Sequence, residues 1–193
     1  TFVLSQVLER VSAQRPVLWF WFVPFATLVQ QTEDALNANA TSLAPCSLSE
    51  GRNREAHAGM VLLSTAQGVG RAQWRKQGYD ADGDDDTRTM AAFVARARAQ
   101  GLQLGLVVDE AHIALDKGTE FGKFAHWLRA DHVLMATATP RDERLNEFLV
   151  HAGYSALAAF AASRDEVVQA RLNKKYIEAV VYSRGQSKAP IAD

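Results

Sequence analysis

The sequence predicts an α/β fold in which a parallel sheet is flanked by helices, and three observations predict it. Apolar runs without polar alternation recur at Val17–Val23, Met60–Thr65, Leu104–Val108 and His132–Ala136, as strands covered on both faces require. Segments with helical spacing separate these runs, giving the alternation typical of a parallel sheet. The residues with chemical potential follow the ends of the runs, where such sheets carry their functional loops.

Each element has its own justification. Val3, Val7, Leu8 and Val11 stand at helical spacing, so Phe2 to about Ala13 reads as an amphipathic helix stopped by Pro16. Val17–Val23 is aromatic and β-branched, Pro24 ends it, and Thr27 to about Asn37 reads as the next helix. Residues 39–58 mix Ser, Asn, Pro and Gly as a loop does, with room for a short helix. After Met60–Thr65, the polar stretch Gly68–Asp86 reads as a loop with an acidic tip at Asp82-Gly83-Asp84-Asp85-Asp86. Thr87 to Gln100 reads as a helix with Phe93, Val94 and Ala97 inward, closed by Gly101. Phe121–Arg129 and Asp142–Val150 read as helices on either side of the strand at His132–Ala136. Beyond Ala152, Asp165–Leu172 reads as a helix and Ile177–Tyr182 as a strand. The last ten residues read as a linker or frayed end.

Composition narrows the class. A chain of 193 residues suits one domain with a substantial core, and its apolar and charged fractions are those of an ordinary globular protein. A net charge of -1 argues against a protein that coats DNA, but not against local phosphate contacts through loop amides and helix N-termini. The single cysteine, Cys46, excludes an internal disulfide and fits a reducing cytoplasm as a passive thiol. No apolar stretch reaches the roughly 20 residues of a membrane span, and no secretory signal opens the chain.

The most informative segment is Leu106-Val107-Val108-Asp109-Glu110-Ala111-His112. A buried strand that delivers adjacent carboxylates to its C-terminal tip suits magnesium-assisted phosphate hydrolysis. One carboxylate organises the hydrated metal, and its neighbour polarises the attacking water. The plain alternative is a pair of acids stabilising the start of the next helix.

Several segments carry a family resemblance, in the expected order. Asp109-Glu110-Ala111-His112 resembles motif II of the DEAD/DEAH-box helicases of superfamily two, and Thr137-Ala138-Thr139-Pro140 resembles motif III. Val23-Pro24-Phe25-Ala26-Thr27-Leu28-Val29-Gln30-Gln31 looks like motif Ia through Pro24, Leu28 and Gln31, with Ala26 where DEAD-box members commonly carry a basic residue. Leu63-Ser64-Thr65-Ala66-Gln67 is similar to the strand-end Thr-x-Gln of DNA helicases and type III restriction subunits. Ser163–Tyr182 is similar to the exit segment of those restriction-type helicases, so the likeness spans almost the whole chain.

What is missing matters as much. A nucleoside-triphosphate site needs a glycine-rich loop followed by Lys and Ser/Thr. Gly118-Thr119-Glu120-Phe121-Gly122-Lys123-Phe124 lacks the hydroxyl residue and one spacer, and Gly68-Val69-Gly70-Arg71 lacks the lysine. The resemblance implies that Thr1 is the last residue of such a loop. The first strand would then lie upstream, beside His132–Ala136, and this piece alone would be inactive.

The resemblance thus implies the first RecA-like motor domain of a P-loop NTPase at residues 1–162, N-terminally truncated, and an exit segment at 163–193 leading to a second RecA-like domain. Its cofactors would be ATP and Mg2+, with the metal held by Asp109 and Thr1. Asp109, Glu110 and His112 would be catalytic, and Thr1, Asp109, Thr137 and Thr139 would face the nucleotide. His112 would link that site to motif III, or else pack at a helix start. Pro24, Phe25, Gln31, Thr65, Gln67 and Arg71 would contact nucleic acid, DNA in preference to RNA, while Leu28 reads as core. Arg71, Arg75 and Lys76 around Trp74 would extend that path or form a solvated cluster. An RNA helicase and a non-catalytic docking module with a helicase outline compete with this reading.

Overall fold

The computed structural model describes residues 2–71, 89–111, 120–137, 147, 150 and 164–169. The chain separates into two compact units, Thr1–Leu157 and Ala158–Asp193. Within the first, five parallel strands form one sheet: β1 (Val17–Val23), β2 (Ala44–Ser47), β3 (Met60–Thr65), β4 (Gln103–Val108) and β5 (His132–Met135), in the order β2-β3-β1-β4-β5. Six helices accompany them among the described residues: α1 (Phe2–Ser12), α2 (Ala26–Asn39), α3 (Leu48–Gly51), α4 (Ala66–Arg71), α5 (Met90–Ala99) and α6 (Glu120–Leu128). The second unit contributes α7 (Arg164–Gln169).

The apolar run of β1 is explained by its central place. Val17, Trp19, Trp21 and Val23 enter the core beneath α1 and α2, while Leu18, Phe20 and Phe22 enter the opposite core beneath α5 and α6. A strand buried on both faces has no position for a polar residue. Trp19 donates its indole N–H to Ser12 Oγ at 2.8 Å, whereas the buried Trp21 Nε1 has no partner among the described residues.

Face and direction are coupled. The connection from β1 to β2 carries α2 on one face. The steps β2 to β3, β3 to β4 and β4 to β5 all run the other way across the sheet, and they carry α3, α5 and α6 on the opposite face. A single hand of crossover produces this sorting.

Three expectations need correction. Residues 39–58 are not a plain loop: Ala44-Pro45-Cys46-Ser47 is an edge strand, and the short helix α3 follows. Pro45 hides a strand from sequence reading, yet an edge strand tolerates it because one side needs no ladder bond. The polar stretch after β3 also begins as helix, since Thr65 Oγ1 accepts the Gly68 N–H at 2.9 Å and caps α4. The helix expected from Thr87 starts at Met90, with Thr89 as its N-cap accepting the Ala92 N–H at 3.1 Å. At its other end Gly101 adopts φ +79°, and Leu102 N–H and Gly101 N–H return to Ala97 O and Arg98 O. That pair of bonds defines a Schellman stop.

Glu147 and Val150, from the helix expected at 142–150, are both helical, and α7 overlaps the helix expected at 165–172, starting one residue earlier at Arg164. The strand expected at 177–182 lies outside the described residues.

Candidate functional site

Because every strand is parallel, all C-terminal tips share one edge of the sheet. Register places Phe22 beside Val108, Val108 beside Met135, and Val23 beside Thr65. The segments following β1, β3, β4 and β5 therefore emerge along one rim.

The acid pair is clamped there by backbone bonds on both sides. Asp109 N–H donates to Phe22 O at 2.9 Å, continuing the ladder to β1. Ala136 N–H donates to Val108 O at 3.0 Å, and Ala111 N–H donates to Ala136 O at 2.9 Å, tying the β4 tip to the residue before Thr137. Asp109 and Glu110 are partly exposed, while Ala111 is fully buried and anchors the turn in the core. Asp109 Oδ1 accepts the Glu110 N–H at 3.1 Å, which holds one carboxylate oxygen against the backbone.

Glu110 itself takes φ +51°, a left-handed conformation that costs a non-glycine residue about 1–2 kcal/mol. The bonds on either side of it hold that strain. Strain of this kind concentrates where a side chain must be presented in one direction. Nothing in the residue type signals it, because Asn, Asp and Gly are the usual occupants of that region.

The structure thus brings Asp109, Glu110 and Thr137 together. The three offer carboxylate and hydroxyl oxygens, the donor chemistry that magnesium prefers. No group of three or more His, Cys, Asp or Glu residues able to hold a metal occurs among the described residues, so any cation here would keep most of its coordination from water or phosphate. Thr1, His112 and Thr139 lie outside the described residues, as do Trp74, Arg75 and Lys76.

Of the other expected contact residues, Pro24, Phe25 and Thr65 stand at the rim, where β1 and β3 end. Pro24 is buried directly after β1. Phe25 is 58% exposed in extended backbone at the N-cap of α2, without a side-chain capping bond. Gln31 is exposed further along α2, Gln67 is exposed on α4, and Arg71 is the last residue of α4. Thr65 is partly buried and already occupied as a cap. Leu28 packs against the core beneath α1 and α2, as its helical position predicts. What sequence reading missed were the backbone groups, Phe22 O and Ala136 O, that fix the acids in place.

The fold and rim define a class: an α/β protein with an all-parallel, helix-flanked sheet and acidic and hydroxyl side chains at its C-terminal edge. The chain matches no family model and no curated protein.

Proposed function

We propose that this domain is the first RecA-like motor domain of a superfamily-two DNA helicase or translocase, of the type III restriction branch. The observation that carries the reading is the clamp between the β4 and β5 tips, which sets the Asp109-Glu110 pair beside Thr137. A motor needs that adjacency, because the residues that sense the terminal phosphate must move with those that act on it.

Residue roles follow from chemistry. Asp109 would hold the hydrated Mg2+, together with Thr1, and Thr137 and Thr139 would face the phosphates. When bound, Mg-ATP supplies the phosphoryl group and the charge neutralisation that its transfer requires. Glu110 accepts a proton from, or orients, the attacking water, and its strained backbone keeps it aimed. His112 connects the acids to the Thr137 segment. Pro24, Phe25, Gln31, Gln67 and Arg71 follow one strand of nucleic acid along the rim, with Thr65 supporting the turn between them. A second RecA-like domain would complete the nucleotide cleft.

The arrangement of α1 supports the same reading. It lies on the face of α2, where connections run away from β5. With the shared hand, a parallel strand feeding α1 belongs on the β5 side of β1. β4 and β5 already fill the nearer places, which leaves the outer edge of β5. A phosphate loop joining such a strand to α1 would open onto the rim that holds the acids.

One fact favours a second reading, a non-catalytic docking module: the 193 residues contain no glycine-rich loop ending in Lys-Ser or Lys-Thr. ATP hydrolysis by the intact protein, measured alone, with duplex DNA and with RNA, separates the readings. The motor reading expects stimulation by DNA above that by RNA. Hydrolysis that RNA stimulates more strongly would reassign the substrate, and no hydrolysis under any condition would leave the docking module.

A further inference from the structure

Two helices on one face of the sheet connect the two halves of the candidate site. α4 leaves β3 directly after Thr65 and carries Gln67 and Arg71, two of the residues proposed to contact nucleic acid. α6 is the next described helix after the acid pair, and it packs against α4. Val69 of α4 is fully buried in one core with Phe121 and Phe124 of α6, with Phe22, and with Ala111 beside the acids.

That core reaches the acids from both sides. The Phe121 ring meets the Phe22 ring edge to face, with centroids 5.0 Å apart. Phe22 O accepts the Asp109 N–H, and the Ala111 N–H donates to Ala136 O, next to Thr137. These two bonds flank Glu110 and its positive φ. A close-packed interior passes a shift of α6 to both of them.

α4 is the weaker partner in this contact. It has six residues, two of them glycine, a length and composition that do not sustain a helix alone. Its helical state draws on the cap from Thr65 Oγ1 to the Gly68 N–H and on the burial of Val69. Gln67 and Gly68 are exposed, so a ligand can reach the element whose docking is most easily shifted. Thr65, Gln67 and Arg71 keep one fixed spacing only while α4 is helical. A strand that touches all three therefore binds the helical, seated state more tightly than any other.

We infer that α4 is the two-state element through which nucleic acid and nucleotide favour each other's binding. A bound strand seats α4 on α6, and that seating holds the Asp109-Glu110 turn in its aimed form. Val69 and Phe121 are then positioning residues, acting through the core and not on substrate. The inference rests on the motor reading and adds to it a route inside this one domain. Linkage makes the effect reciprocal, so nucleotide must tighten the strand by the factor by which the strand tightens nucleotide.

The test measures the affinity of the intact protein for labelled duplex DNA by anisotropy at fixed salt, with and without Mg2+ and a non-hydrolysable ATP analogue. Calorimetry follows binding of the analogue in the same samples. Val69→Ala and Phe121→Leu weaken the contact. Val61→Ala makes the same truncation as Val69→Ala in the opposite core and controls for general loosening. Each variant is first shown to unfold cooperatively, and either of the first two suffices. The analogue should tighten DNA by about fivefold or more in the wild type and in Val61→Ala, and by less than about twofold in Val69→Ala and Phe121→Leu. A wild-type ratio kept by either weakened variant, an equal loss in Val61→Ala, or a wild type that binds both ligands without coupling would overturn the inference alone. A wild type that binds no analogue would fail the motor reading, and the inference with it.

Discussion

Two residues show how local chemistry shapes this molecule. Glu110 is held with φ +51° between two backbone clamps, and its side chain is therefore aimed at a cost in stability. Removing the side chain while keeping or relieving the strain separates the two effects. Glu110→Gly should be more stable than Glu110→Ala by about 1 kcal/mol in urea unfolding; equal stabilities would mean that the turn relaxes freely. Cys46 illustrates burial instead. It is 5% exposed beneath α3, and desolvation raises its thiol above the ordinary 9.0, with Arg54 opposing and Glu50 and Glu33 adding to the rise. The folded state thus favours the neutral thiol. Its contribution is intact below the ordinary value and is lost as pH rises through the raised one. Between about pH 8 and about pH 10 the wild type should lose more stability than Cys46→Ala. Parallel losses would remove Cys46 from this role.

At the scale of elements, close packing sets what each strand can carry. Gly105 in β4 lies against the face of Trp19, and a Cβ built there would overlap the indole ring. Gly105→Ala should destabilise the protein by about 1–3 kcal/mol or more. Gly101→Ala meets open space and should cost only about 1 kcal/mol, for its positive φ. Thermal unfolding of the two variants checks the order, and a larger loss at Gly101 would contradict it. The same packing explains what sequence could reveal. β1, β3 and all of β4 but Gln103 were legible because helices bury their apolar runs, whereas β5, expected within His132–Ala136 as a strand covered on both faces, is only partly buried. β2 was not, because an edge strand of four residues carrying Pro45 looks like a loop. α4 was masked by Gly68 and Gly70, and only the capping bond from Thr65 shows why a helix begins there. Within the candidate site, Asp109, Glu110 and Thr137 could be picked out by side-chain chemistry. The Phe22 and Ala136 carbonyls that hold the turn could not, since any residue supplies a carbonyl.

For the whole molecule, the parallel sheet gathers dispersed sequence segments at one rim, and the common hand of its crossovers reserves the outer edge of β5 for any strand that feeds α1. β5 pairs with β4 alone among the described residues, so that edge offers ladder bonds to a partner strand. No helix among the described residues is long and apolar enough to cross a membrane. The motor reading places the phosphate-cradling groups outside these 193 residues, so this chain by itself should give no micromolar ATP isotherm by calorimetry. Tight binding would show that the rim suffices without a glycine-rich loop. The decisive measurement is turnover of the intact protein carrying Glu110→Gln. The account predicts that ATP hydrolysis is abolished while DNA affinity, read by anisotropy at fixed salt, stays near the wild-type value. Hydrolysis retained at the wild-type rate would remove Glu110 from the chemistry and contradict the proposed motor.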